Sequence, residues 1–144
     1  MSTTPTLNGQ AIGQAHYATR ALLERAVAPL GVSFGQVLAL NVLTAGPVEP
    51  AHLVRRITST LKVDEPAVHE VIASLVDADL AHLDEASVRL TDAGRATQAR
   101  IADAVAGIAT RLYGDIPADE ASAAARVLTL ITQRANAELA ATPA

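Results

Sequence analysis

The sequence predicts a mainly α fold interrupted by one small β-hairpin. Three observations carry that expectation. Apolar side chains recur at three- and four-residue spacing over most of the chain, the period of a helix buried on one side. Proline, glycine and capping residues cut this pattern into separate helices. One stretch, from Leu80 to Leu90, breaks the period: Leu80-Ala81-His82-Leu83 and Ser87-Val88-Arg89-Leu90 flank an acidic turn at Asp84-Glu85-Ala86, as the arms of a hairpin do.

The elements follow in order. Leu7 to Ala28 reads as a first helix, with Leu7, Ala11, Ala15, Ala18 and Leu22 on its apolar side and Pro29 and Gly31 as its stop. Ser33 is an N-cap for a second helix, Phe34 to Leu43, which Gly46-Pro47 ends. The stretch Val48 to Leu61 holds a third helix, with Pro50 near its first turn and Leu53, Ile57 and Leu61 as its apolar row. Asp64-Glu65-Pro66 opens a fourth, acids and proline at the favoured end, with Val68, Val71, Ile72 and Leu75 facing inward. After the hairpin, Thr91 or Asp92 caps a fifth helix striped by Ile101, Val105, Ile108 and Leu112 as far as about Tyr113. Gly114 to Pro117 breaks it, and Asp119 starts a last helix striped by Val127, Leu128, Ile131, Ala135 and Leu139. Four helices, a hairpin and two long helices give a helix-turn-helix followed by a wing.

Composition narrows the function classes. A chain of 144 residues is one domain's worth. The absence of cysteine excludes disulfides and thiolate metal sites and fits a reducing compartment. Met1 to Gln10 has neither the basic start nor the apolar core of a signal peptide. The longest uncharged run, Ala26 to Val48, contains Pro29, Gly31, Ser33, Gly35, Gln36, Asn41 and Pro47, so it reads as a helix break and a new helix start rather than a membrane span. A soluble, cytoplasmic protein with no membrane contact is expected. Tyr17, Phe34 and Tyr113 are the only aromatics besides histidine, leaving a core of Ala, Leu, Val and Ile whose small side chains let helices approach closely. His16, His52, His69 and His82 lack metal-ligand spacing, no glycine-rich phosphate loop occurs, and Ser87 is not in a nucleophile elbow. No enzyme activity, metal or cofactor is therefore expected.

The ordered set of segments resembles the MarR-type winged helix-turn-helix regulators over nearly the whole chain. It runs through Leu30-Gly31-Val32-Ser33, Gln36-Val37-Leu38-Ala39-Leu40, His52-Leu53-Val54, Ile72-Ala73-Ser74-Leu75-Val76 and Asp79-Leu80. The most specific piece is Val88-Arg89-Leu90-Thr91-Asp92-Ala93-Gly94-Arg95-Ala96. The resemblance implies a homodimeric transcriptional regulator. Residues 1–30 and 97–144 would supply dimerisation helices, and residues 31–96 the winged unit that grips double-stranded DNA. It also implies a small aromatic or anionic ligand in a crevice between base and winged unit.

Charge pulls against that expectation. Gly31 to Ala96 holds nine acids and five bases, whereas the flanks hold six of each, so the chain's net charge of −4 sits in the winged unit. Asp64 to Ser87 contains no Lys or Arg but seven acids: Asp64, Glu65, Glu70, Asp77, Asp79, Asp84 and Glu85. The family's wing arginine, in an Asp-x-Arg motif, has no counterpart. Phosphate neutralisation falls to Arg55, Arg56, Lys62, Arg89 and Arg95. Arg55 and Arg56 are the better phosphate candidates, since the helix before a recognition helix crosses the backbone, although surface arginines are often only solvated. On the fourth helix, Ala67, Glu70, Ser74 and Asp77 lie opposite the apolar row with His69 beside them. Glu70 reads equally as an acceptor for a cytosine amino group or as part of a solvated acidic face. The winged fold kept as a ligand- or protein-binding dimer, with DNA contact weakened or lost, stays open as the alternative.

His16, Tyr17, Arg20 and Glu24 share one side of the first helix. An arginine fork beside an imidazole and a phenol suits a carboxylate or phenolate, and Phe34 and Tyr113 are candidates to line the same crevice. The plainer alternative is an Arg20–Glu24 i,i+4 pair, with His16 and Tyr17 packed at a dimer base.

Overall fold

Asn8 sets the start of the first helix, its side-chain oxygen accepting from Ala11 N at 2.8 Å. Helix α1 thus runs Gly9–Val27, two residues inside the expected start at Leu7, because the cap lies beyond Leu7. A single 3-10 turn, Ala28–Leu30, follows, and Gly31 leaves it at φ 74, a left-handed conformation that glycine adopts without steric cost. Helix α2, Phe34–Leu43, starts at a complete capping box. Ser33 Oγ accepts from Gln36 N, and Gln36 Oε1 accepts from Ser33 N.

Helix α3 spans Pro50–Leu61 and α4 spans Glu65–Asp77, the latter capped by Asp64. Strands β1, Ala81–Leu83, and β2, Val88–Leu90, pair antiparallel with His82 opposite Arg89. Val48 extends this ribbon, exchanging two backbone hydrogen bonds with Val88 at 3.0 and 2.8 Å. Helix α5 is Asp92–Tyr113 and α6 is Ala118–Ala140, one residue before the expected start at Asp119.

This computed structural model describes residues 4–141. The chain divides into two compact units, one reaching Ile108 and the other starting at Ala109. The core of the first unit gathers Leu40 and Leu43 of α2, Leu53 and Ile57 of α3, Val68 and Leu75 of α4, and Val88 of β2. Leu40 and Leu43 belong to the uncharged run, so its hydropathy is spent inside this core. No single helix among the described residues is long and apolar enough to cross a membrane; α1 with its 3-10 turn and α2 pass such a test only as a pair bent by 79°.

The Leu-Thr-x-x-Gly segment has a mechanical role. Thr91 N donates to the Leu80 carbonyl at 3.1 Å, and Thr91 Oγ donates to the Asp79 carbonyl at 2.6 Å. The same hydroxyl accepts from Gly94 N at 2.9 Å, capping α5. A Cβ on buried Gly94 would collide with the Leu80 carbonyl. Threonine and glycine together press the start of α5 against the base of the wing.

Two long apolar rows remain uncovered in the single chain. Of the expected α1 row, Ala11, Ala15 and Ala18 are exposed, Leu7 beside the helix is 56% exposed, and only Leu22 is half-buried. In the second unit α6 buries no residue, and Leu128 is 46% exposed. Along α5, Ile101 and Ile108 are buried, while Val105 of the same expected stripe is 42% exposed.

Candidate functional site

Helix α3 buries Leu53, Val54 and Ile57, which leaves Arg55 and Arg56 on its outer side, both exposed. Lys62 ends the helix as its C-cap at φ 58, exposed in the turn that leads to α4. Helix α4 buries Val68, Ile72 and Leu75 and exposes His69, Glu70 and Asp77. A helix with one exposed face therefore follows a turn and a helix carrying two outward arginines, an arrangement that suits groove reading.

Ala67 and Ser74 lie differently from the expectation that set them on the outer side: both are half-buried. Ser74 Oγ accepts from Gln36 Nε2 at 2.9 Å and donates to the Val71 carbonyl at 2.6 Å. Gln36, already closing the capping box of α2, reaches across and ties α4 to α2. This is a positioning contact between residues 38 apart in sequence, and no local pattern announces it. Gly35 assists, since a Cβ there would stand 3.1 Å from a Val71 methyl.

The wing is short because its turn is tight. Asp84 N donates to the Ser87 carbonyl at 3.0 Å, and Asp84 Oδ1 accepts from Ala86 N and Ser87 N at 2.8 and 2.9 Å. An aspartate folding the backbone onto its own side chain makes a rigid turn. Arg89 Nη1 lies 3.4 Å from Asp84 Oδ2, so the hairpin's cation leans on the hairpin's own acid. The start of α4 is acidic as well, with Asp64 as the cap and Glu65 in the first turn. Those carboxylates stabilise the helix through its dipole but repel phosphate at the end where a helix otherwise attracts it.

The backbone hydrogen bonds from Ser87 and Ala86, followed by the nearby Arg89 charge, hold the Asp84 carboxyl below its ordinary value of 3.8. A carboxyl with a depressed folded pKa contributes to stability above its unfolded pKa and loses that contribution as pH falls through the folded one. The wing turn is therefore expected to hold at neutral pH and to loosen only below about pH 4. Amide chemical shifts of Ala86 and Ser87 followed during acidification check this; a turn that loosens near pH 6 contradicts it.

A second cluster joins α1 to α2. The Arg20 guanidinium lies 4.2 Å from the centre of the Phe34 ring, within cation–π range. The His16 ring meets Phe34 edge-on at 6.5 Å and Tyr17 at 5.4 Å. Arg20 Nε also pairs with Glu24 at 2.9 Å. Beside them a cleft of about 240 Å³ runs past Gly35, Val63, Ala67 and Val71. Tyr113 is in the second unit, at the end of α5, and 54% exposed. Among the described residues no three His, Asp or Glu side chains gather to hold a metal ion.

No protein-family model and no curated protein matches the chain. Solved structures do. CouR from Rhodococcus jostii RHA1 bound to p-coumaroyl-CoA superposes with a TM-score of 0.75 at 16% identity, covering 86% of this chain and 90% of that one. A MarR family protein of Mycobacterium tuberculosis in complex with DNA gives 0.70 at 20% identity, covering 88% and 98%. The same protein with p-aminosalicylic acid gives 0.66 at 22% identity, covering 88% and 98%. The expected winged helix-turn-helix fold is thus the one found, and it is the fold of MarR-family proteins.

Proposed function

We propose that this chain, built on the MarR-type winged-helix fold, is a homodimeric DNA-binding transcriptional regulator whose affinity for DNA is tuned by a small aromatic or anionic ligand. The observation that carries the proposal is the exposed α4, held by Gln36 and Ser74 behind an α3 that turns Arg55 and Arg56 outward. His69 and Glu70 on α4 are its base-edge candidates, and Arg55, Arg56 and Lys62 its phosphate contacts. The uncovered rows of α1 and α6 support the homodimer, since apolar surface of this length is stable in water only when covered. Residues 1–30 and 97–144 then form the base and residues 31–96 the reading unit. His16, Tyr17, Arg20 and Phe34 offer the anionic ligand an arginine fork and aromatic walls.

A gel-shift titration on the duplex upstream of the protein's own reading frame tests this at low and moderate salt. A shift at low salt that weakens as salt rises is expected, and no shift at either defeats the DNA-binding part. Arg55→Glu with Arg56→Glu turns two phosphate attractions per copy into repulsions, so affinity is expected to fall on the order of a hundredfold. An unchanged affinity removes both residues from the interface.

One observation favours a second reading. The seven acids and absence of Lys or Arg across residues 64–87, together with Arg89 resting on Asp84, leave the reading face anionic. A winged dimer that binds a ligand or a protein, with DNA contact weakened or lost, fits that charge. The double reversal separates the two readings, because it is silent in the second.

A further inference from the structure

Two cations on the wing reach for one oxygen. His82 of β1 and Arg89 of β2 stand opposite each other in the hairpin register, and both are exposed. Side chains of directly opposed residues leave the same face of a strand pair. Arg89 Nη1 lies 3.4 Å from Asp84 Oδ2, and His82 Nε2 lies 3.9 Å from that same atom. The other carboxylate oxygen, Oδ1, accepts from Ala86 N and Ser87 N. Oδ1 thus holds the turn, and Oδ2 holds a cation.

Which cation it holds depends on protonation. A neutral imidazole leaves Oδ2 to Arg89, whereas an imidazolium competes for it. Histidine is the side chain whose charge ordinarily changes between about pH 5 and about pH 8. Solvent-exposed ion pairs contribute little, so one added charge is enough to shift the exchange. Helix α4, packed on β1, carries Glu65, Glu70 and Asp77, with Asp79 just beyond it. Glu85 follows Asp84 in the turn, and Glu49 adjoins the Val48 bridge to β2. Among the described residues, none of these other acids comes within ion-pair distance of His82. Helix α2, packed on β2, carries no charged residue. Residues 81–90 hold two acids, Asp84 and Glu85, against one base, Arg89, which leaves a net charge of −1. Protonation of His82 brings that to zero.

We propose that His82 makes the wing proton-sensitive: once protonated, it takes over Asp84 Oδ2, releases Arg89 toward a DNA phosphate and strengthens binding. The inference rests on the regulator reading and deepens it, adding the proton as an effector that acts at the wing rather than at the cluster on α1. Arg89 is one of only five bases in Gly31 to Ala96, against nine acids, so its release matters to phosphate neutralisation. The turn itself stays folded during the exchange, because Oδ1 keeps its two N–H donors.

Affinity for the same upstream duplex, measured at constant salt at about pH 8 and about pH 6, tests this. The wild type is expected to bind about fivefold more tightly at the lower pH. His16, His52 and His69 remain in every variant, so their share of the change is common to all. His82→Gln should lose most of the rise and stay near the alkaline wild-type affinity. Asp84→Asn keeps an Oδ1 acceptor for the turn but frees Arg89, so at the higher pH it should already bind as the wild type does at the lower. An undiminished rise in His82→Gln overturns the proposal. So does an undiminished rise in Asp84→Asn, because His82 then acts without Asp84. In the free protein, the Arg89 Nε and Cζ signals should shift over this pH range in the wild type and in neither variant. Signals that stay still in the wild type, or move equally in the variants, overturn it as well. A chain that binds no duplex at either pH defeats the regulator reading alone, and the Arg89 signals then decide the exchange by themselves.

Discussion

Leu128→Glu is expected to disrupt the proposed homodimer and leave the protein monomeric. Leu128 sits in the exposed apolar row of α6, which buries none of its residues within the single chain. Covering that leucine in a two-fold interface is worth about 2 kcal/mol per copy, and the symmetry of such an interface removes it twice. The lost burial alone amounts to about 4 kcal/mol, roughly a thousandfold in dissociation constant. Desolvating the introduced carboxylate adds several kcal/mol more. Since no residue of the winged core is touched, the hairpin amide signals should persist in the monomer. Equilibrium sedimentation decides: a variant that stays dimeric removes α6 from the interface.

Gly94→Ala is expected to destabilise the winged unit, although alanine is the better helix former. Helix propensity alone favours the substitution by about 1 kcal/mol. Against it stands the Leu80 carbonyl, backbone rather than a flexible side chain, at the position the new methyl must occupy. Either α5 moves off the wing base, breaking the Thr91 contacts to Asp79 and Gly94, or the hairpin shifts. Overpacking of this severity costs about 3 kcal/mol, so the loss outweighs the gain. Thermal unfolding should drop by on the order of 10 °C. Gly9→Ala is the contrast, because nothing lies within 4 Å of its would-be Cβ, and there the melting point should hold or rise slightly. A Gly94→Ala protein as stable as wild type contradicts the role given to that segment.

The elements were legible where local chemistry alone sets them. Ser33 as an N-cap, Asp64-Glu65-Pro66, and the acidic turn at Asp84 each specify their backbone within a few residues, and the structure follows them. Periodicity placed an apolar row on each helix, but it carries no information about what covers a row. Leu53, Ile57, Val68 and Leu75 are covered by their own chain, whereas Ala11, Ala15, Ala18 and Leu128 are not. The same limit applies at the candidate site. Side chains on one helix turn, such as His16 and Arg20, could be grouped from spacing, but the Phe34 ring under Arg20 depends on how α2 crosses α1. Ser74 was set on the outer side because helix geometry points it there, and a glutamine 38 residues earlier claims it.

The salt dependence of binding to a pseudo-palindromic duplex tests the central claim most directly. In the proposed dimer, two winged units, each presenting Arg55, Arg56 and Lys62, would neutralise about six phosphates, so the logarithm of the association constant should fall against the logarithm of salt with a slope of about −5. A slope near zero, or no complex even at the lowest salt, contradicts a dimer that grips DNA through these cations.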